Sequence, residues 1–312
     1  MILTVTANPA IDLTFRVDGL LVGESNRVPT ARSRSGGKGL NVARVAHQLG
    51  HDVLALATVG GDTGVEFARG LVGRPLPHLL VPVSAATRRS IALVDSGNEA
   101  TTVLNETGSP LAEREWQALT AAVRAQVGAA TCLVGSGSLP PGAPDGFYAE
   151  LVQIAHGAGV PAIIDATGDV LLAAVRAGAD LVKPNRRELV ETTGQADPLA
   201  AALSLLDAGA RMVLVSLGED GMFAVSTGDR TPLFARLPRC AGNPTGAGDA
   251  AVAAAAVCLT AGDDDPEAIL RRACAWSAAA VLAPLAGEVA GDVRALEAAV
   301  TLSRSTASPP VG

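Results

Sequence analysis

Residues 243–250 read NPTGAGDA and run straight into the small apolar stretch AVAAAAVCLTAG. Glycines ahead of a helix let the backbone approach a ligand closely, and the first helical turn leaves N–H groups without intrahelical partners. Such a helix start suits an anion. A carboxylate placed there repels the anion unless it acts on the ligand, and Asp249 is such a carboxylate. The chemistry that fits is phosphoryl transfer. Asp249 would take a proton from a substrate hydroxyl while the glycine N–H groups stabilise charge on the moving phosphoryl group.

Other segments carry compatible groups. SGGKGLN, residues 35–41, opens a helix but is no Walker A loop, since Gly39 rather than Ser or Thr follows Lys38. It also lacks the dinucleotide spacing of glycines, so it reads either as turn chemistry or as a ligand loop in which Asn41 offers an amide to a polyhydroxylated ligand. SGSLPPG, residues 136–142, brings Ser138 to the end of a strand. In LVKPNRREL, residues 181–189, Lys183 and Asn185 can contact phosphates and Glu188 can hold a water of hydrated Mg²⁺. The same segment also reads as a solvated helix start with Glu188 near the dipole. VSLGEDG, residues 215–221, is a strand followed by a Gly-rich turn. The chain has 22 arginines and two lysines, Lys38 and Lys183, and both lysines stand in these Gly- or Pro-marked motifs. A compact ammonium rather than a planar fork is wanted there.

The elements that must position these groups follow from periodicity. ILTVTA, VLALATVG, TCLVGSG, PAIIDAT, DLVKPN and MVLVSLG predict strands that are apolar throughout, separated by amphipathic helical patterns. Such strands belong to an α/β fold: a doubly wound, mostly parallel sheet covered by helices on both faces. The ligand loops all follow strands, so they gather along one sheet edge. Beyond residue 245 the pattern is helical, including DVRALEAAVTLSR at 292–304. Residues 13–34 and 88–105 alternate instead, the second as a hairpin about DSGN, and predict a small β-sheet that either closes as a lid or simply extends the edge. One domain over 1–304 carries these insertions, and 305–312 is expected to be a flexible tail.

Forty-eight per cent hydrophobic and 18% charged residues suit a globular chain, and a net charge of -7 makes no electrostatic case for nucleic acid or a membrane surface. A phosphorylated ligand would need local cations. No apolar run predicts a membrane span, the N-terminus lacks a basic leader region, and a cytoplasmic protein is expected. Cys132, Cys240, Cys258 and Cys274 lack C-x-x-C spacing and read as buried thiols, and the four histidines lack ligand spacing.

With NPAID, GGKGLNVARV, SGSLPPG, LVKPNRREL and the G-A-G-D segment in place, the chain resembles the ribokinase-like (PfkB-type) carbohydrate kinases from Met1 to about residue 300. Its motifs are similar to the branch acting on phosphorylated ketohexoses, 1-phosphofructokinase and tagatose-6-phosphate kinase. The resemblance implies Asp249 as base, Gly246, Ala247 and Gly248 as anion hole, and Asp12, Gly37, Lys38, Asn41 and Ser138 at the sugar. It implies Arg27 and Arg88 at the substrate's existing phosphate, Lys183, Asn185, Ser216, Gly218 and Gly221 at ATP, and Glu188 at Mg²⁺ through water. A lid that doubles as a homodimer interface is implied as well. Lys38 and Ser25 stand where the fructose-6-phosphate branch has glycine and lysine, which counts against that activity. The expected reaction is ATP-dependent conversion of fructose 1-phosphate to fructose 1,6-bisphosphate. Tagatose 6-phosphate is the alternative substrate, ahead of another sugar or a non-catalytic binding role.

Overall fold

The computed structural model describes residues 1–72, 76–97 and 100–305. The chain begins with β1 (Ile2–Thr6), leaves it for β2 (Ala10–Val17) and β3 (Arg32–Gly36), and returns through α1 (Lys38–Gln48) and β4 (Val53–Val59). Next come α2 (Gly61–Val72), β5 (His78–Pro82), β6 (Arg88–Asp95) and β7 (Ala100–Asn105). The β–α alternation runs on through α3 (Glu113–Val127), β8 (Cys132–Ser136), α4 (Phe147–Gly157), β9 (Ala162–Asp165) and α5 (Asp169–Arg176). It continues with β10 (Leu181–Val182), α6 (Arg186–Thr193), α7 (Pro198–Ala208) and β11 (Met212–Ser216). The chain ends with β12 (Met222–Ser226), β13 (Leu233–Arg236), α8 (Ala247–Thr260), α9 (Pro266–Val281), α10 (Val293–Ala299) and β14 (Thr301–Arg304).

Among the described residues the strands form a ten-stranded sheet, ordered β14-β13-β12-β11-β10-β9-β8-β1-β4-β5, and a four-stranded sheet, ordered β3-β2-β6-β7. From β5 to β11 every pairing in the large sheet is parallel, and β12, β13 and β14 add an antiparallel end. Each central strand is apolar on both faces because each face has its own core. Ile2, Met212 and Leu214 pack with α1, α8 and α9, whereas Leu3, Val5, Val213 and Val215 pack with α3, α4, α5 and α7. Helix α8 is buried from Asp249 to Cys258, which its Ala-rich sequence permits: with side chains this small a helix can lie close to both sheet and neighbours.

Two expectations are corrected. The helix expected over 292–304 stops at Ala299, and Thr301–Arg304 is instead an edge strand. Its pairing with β13 gives its backbone groups partners that a further helical turn would not have, and β-branched Thr301 favours the extended form. The alternation expected over 13–34 begins earlier, at Ala10, and breaks off at Val17. Residues 18–31 form a loop pinned by the Asp95 carboxylate, which accepts from Gly19 N and Leu20 N, both at 2.9 Å. The hairpin of β6 and β7 is present and its register runs to Asp95 opposite Ala100. Positions 98–99 of its turn, and the expected tail apart from Ser305, lie outside the described residues.

The small sheet is joined to the core by four crossings: Ala7–Pro9 into β2, Gly37 from β3 to α1, residues 83–87 from β5 into β6, and residues 106–112 from β7 to α3. All of β7 is exposed and most of β6 is only partly covered. Backbone amides in such thinly covered strands open without global unfolding. Amides of β6 and β7 are expected to exchange roughly a hundredfold faster than those of β1 and β8, and to slow when the expected sugar phosphate is added. Core-like protection in the free protein, measured by hydrogen exchange, would identify a static extension.

Candidate active site

The C-terminal ends of β1, β8, β9, β10 and β11 and the N-terminal ends of α1 and α8 meet on one edge of the large sheet. Gly246 caps α8 at φ 89°, a left-handed conformation that favours glycine, and no side chain caps the first turn. Ala247 N donates to the Pro244 carbonyl at 3.2 Å, and the N–H groups of this turn have no side-chain partner, which suits an anion. Gly248 backs directly onto Lys183: a Cβ at this position would stand 3.1 Å from the Lys183 Nζ. One turn into the helix, Asp249 is buried and its Oδ2 accepts a hydrogen bond from Asn41 Nδ2 at 2.9 Å. Burial pushes the Asp249 carboxyl up to about 7; Lys38, Asn41 and Lys183 oppose the rise and Asp165 reinforces it. A base with that value is half ionised near neutrality, where proton transfer is most effective.

The centre of the site is a residue that no motif reading singled out. Asp165, at the end of β9, is fully buried; its Oδ2 accepts from Ser136 Oγ at 3.1 Å and lies 3.4 Å from Lys38 Nζ, while Oδ1 lies 3.6 Å from Lys183 Nζ. Burial alone would raise its carboxyl, but Lys183 and Lys38, with Ser136, hold it below the usual carboxylate range. Lys38 also lies 3.7 Å from Glu188 Oε1. Lys38 is held above its ordinary value by Asp165, against burial, with Glu188 and Asp249 adding to the rise. A signal for Asp165 was available in the sequence: it is an acid ending the apolar strand PAIIDAT at the sheet edge where ligands bind.

Asn185 and Glu188 form a capping box on α6. Asn185 Oδ1 accepts from Glu188 N and Glu188 Oε2 from Asn185 N, each at 2.9 Å, which leaves Oε1 facing Lys38. The segment is thus a helix start, and its one uncommitted carboxylate oxygen lies toward the other charged groups of this edge. Ser216 bridges to Asn185, and Gly218 and Gly221 flank the tight turn after β11. Among the described residues no three His, Cys, Asp or Glu side chains gather to hold a metal by themselves. Two carboxylates, one with a buried oxygen that lacks a hydrogen-bond partner, fit a Mg²⁺ that arrives with phosphates and keeps its waters.

The sugar-side residues sit where the small sheet joins the core. Asp12 on β2 is pushed up to about 6 by burial, although Arg44, Arg88 and Arg34 pull it down. Arg34 lies across from it on β3, and Gly36, two residues on, is so close that any Cβ there would collide with the Asp12 carboxylate. Arg88 Nε and Nη1 donate to the carbonyls of Asn8 and Glu106 at 3.1 and 3.0 Å, bracing the guanidinium with donors to spare. Ser138 Oγ accepts from Asn8 Nδ2 at 3.2 Å. Gly37 caps α1 without a side-chain bond. Two assignments shift. Lys38 makes its ion pairs with Asp165 and Glu188, on the side of Lys183, instead of joining the Asp12 cluster. Arg27 lies on the exposed loop after β2 and makes no hydrogen bond or ion pair among the described residues, whereas Arg34 and Arg44, which the motifs did not mark, stand beside Asp12.

A helix start without a side-chain cap, a buried carboxylate and paired lysines gather along the edge of a doubly wound sheet, an arrangement compatible with phosphoryl transfer. Residues 3–290 match the model of the pfkB family carbohydrate kinases, and the chain belongs to that family. It is an ATP-dependent carbohydrate kinase. Among solved structures it is similar to the tetrameric inhibited form of phosphofructokinase-2 from Escherichia coli, at 29% identity and TM-score 0.85 over 95% of this chain and 98% of that one. The same enzyme in complex with fructose-6-phosphate matches at 28% identity and TM-score 0.84 over the same shares. A possible 1-phosphofructokinase from Thermotoga maritima shares the fold at 23% identity and TM-score 0.87, over 97% of this chain and 99% of that one. No helix among the described residues is long and apolar enough to cross a membrane.

Asp249→Asn keeps size and the contact with Asn41 but removes the proton acceptor, so kcat should fall about 10²–10⁴-fold with ATP binding little changed. A variant with more than about a third of wild-type kcat excludes Asp249 as base. For wild type, kcat/KM should rise with pH along an acid limb near 7, as the carboxyl loses its proton. Stability should move the other way. The folded state holds this proton more tightly than the unfolded chain, so stability is lost as pH rises from the ordinary 3.8 through about 7. Asp249→Asn should therefore melt above wild type at pH 8, with the gap narrowing as pH falls toward 4.

Proposed function

We propose that this kinase phosphorylates a ketohexose that already carries a phosphate, with fructose 1-phosphate going to fructose 1,6-bisphosphate at the expense of Mg²⁺-bound ATP. The observation that carries this reading is the gathering of Arg34, Arg44 and Arg88 around Asp12 in a chain of net charge -7. A free sugar has no use for such a concentration of guanidinium groups; a doubly charged phosphate does, because the overall field of the protein repels it. Burial depresses the ionisation of Arg88 itself, against Asp12 and Glu106, so an incoming phosphate would meet a poorly solvated cation.

In this reading Asp12 and Asn41 hold sugar hydroxyls, and the hydroxyl to be phosphorylated lies beside Asp249. Its proton passes to the Asp249 carboxylate as its oxygen bonds to the γ-phosphorus. The bond from that phosphorus to the β–γ bridging oxygen breaks, and ADP leaves with the electron pair. Gly246, Ala247 and Gly248 N–H groups meet the charge on the moving group, backed by Lys183. Asp165 and Glu188 would hold Mg²⁺ through water, and the metal would shield the phosphate charges from the nearby acids. The small sheet acts as the lid. Its β7 strand exposes Val103 and Leu104, 44% and 54% accessible, which suits pairing with a second copy.

ADP release across fructose 1-phosphate, tagatose 6-phosphate, fructose 6-phosphate and the free ketohexoses tests the substrate. The second of these is the alternative from the sequence motifs, and the third is the ligand in the phosphofructokinase-2 complex. Arg88→Ala should raise KM for the preferred phosphosugar at least about tenfold, or roughly 1.4 kcal/mol, with KM for ATP unchanged. Efficient turnover of free fructose by wild type, or an unchanged ratio of phosphosugar to free sugar in the variant, would turn the reading into a simple sugar kinase.

A further inference from the structure

Both lysines of the chain converge on one carboxylate, Asp165, but they are not equivalent. The Lys183 side chain is 4% accessible and fixed between Asp165 and the start of α8, whereas the Lys38 side chain is 39% accessible and spans from α1 to two acids on separate elements. These two acids, Asp165 and Glu188, are the ones whose oxygens suit a hydrated Mg²⁺. Glu188 Oε2 is committed to the α6 cap, so Oε1, the oxygen facing Lys38, is the one on offer. Lys38 therefore stands on the oxygens that a divalent cation would use. Without it, Asp165, Glu188 and Asp249 would face one another with Lys183 as their remaining lysine.

We propose that Lys38 is a tethered counter-ion, which holds Asp165 and Glu188 together in the empty site, gives up those oxygens to the divalent cation, and then turns its charge to the triphosphate. This rests on the reading that Mg²⁺-bound ATP occupies this edge. The exchange follows from charge. With Asp249 ionised, three carboxylates and two lysines sum to -1, and with it protonated to zero, so a divalent ion added without moving Lys38 would crowd three cations onto the same acids. The lysine stem is long and flexible, and its ammonium needs no fixed plane, so it can leave without moving α1. Lys38 acts as a positioning residue for the metal and as a contact for the nucleotide. These roles have opposite signatures: removing its charge should tighten metal and loosen nucleotide.

The test uses Mn²⁺ as probe, with bound and free ion counted by electron paramagnetic resonance, and the β,γ-methylene analogue of ATP. Without nucleotide, Lys38→Met and Lys38→Gln should bind Mn²⁺ at least tenfold more tightly than wild type, and Lys38→Arg should stay within about threefold. With Mn²⁺ saturating, the two neutral variants should bind the analogue at least threefold more weakly. Unchanged or weakened Mn²⁺ binding in both neutral variants overturns the proposal, because a merely structural lysine would loosen both ligands together. Wild type that binds no Mn²⁺ even with the analogue removes the Mg²⁺–ATP reading and the proposal with it. Wild type itself gives a second measurement that needs no neutral variant. Labelling lysine with carbon-13 yields two ε-methylene signals, and the one missing in Lys38→Arg should shift when Mg²⁺ and the analogue are added together. A stationary signal overturns the exchange.

Discussion

The site depends on keeping one carboxylate ionised deep in the protein. Asp165 has lost almost all contact with water, and an isolated charge in that position would either take up a proton or destabilise the fold. Lys183 and Lys38 settle the matter from two sides, with Ser136 supplying a hydrogen bond. The same balance sets the neighbouring base. Asp249 feels Lys38 and Lys183 as attraction and Asp165 as repulsion, and because burial outweighs the lysines its carboxyl stays near neutrality instead of falling into the ordinary range. Two buried acids a short way apart thus differ in protonation because only one makes ion pairs with both lysines.

Packing brings these charges to the edge. Helix α8 is alanine, valine and cysteine for most of its buried length, and it lies between the sheet, α1 and α9. Bulkier side chains would force it away from β1 and β8, and its first turn would no longer meet Lys183. Ser277 on α9 donates to the Ala247 carbonyl at 2.7 Å, so the first turn of α8 is fastened from behind. The geometry of this edge is therefore specified in part by residues that do not line it.

The α/β class and the sheet-edge site were legible because they follow from local pattern: runs such as MVLVSLG have only one stable environment, and glycine-marked loops after strands converge wherever the strands are parallel. The same pattern marked Asp249, Asn41, Lys183 and Glu188, which the fold brings to one edge. Asp165 was not marked, because a single acid at a strand end has no spacing to announce it, and its importance arises from two lysines 127 and 18 residues away in sequence. The target of Lys38 was missed for the same reason. Arg34 and Arg44 lie on β3 and α1, where each reads as an ordinary surface position until the β2–β3 pairing sets Arg34 opposite Asp12 and the packing of α1 buries Arg44 near it. The end of α10 was misjudged because Thr301–Arg304 gains its strand partners from β13, far away in the chain.

The four crossings between the small sheet and the core have a mechanical consequence. A plate tied at four places has fewer ways to move than one hung on a single hinge, because every displacement must suit all the ties at once. Asn8, Lys38 and Arg88 lie on these ties or at their ends, with Asp12 just beyond, so none of them could shift independently of the small sheet. Arg34 adds a brace, reaching from β3 to the Ala286 carbonyl and the Glu288 carboxylate, both at 3.0 Å. Ala286 in turn backs Gly246, the cap of α8. Any displacement of the small plate would therefore reach the cap of α8 through a single side chain.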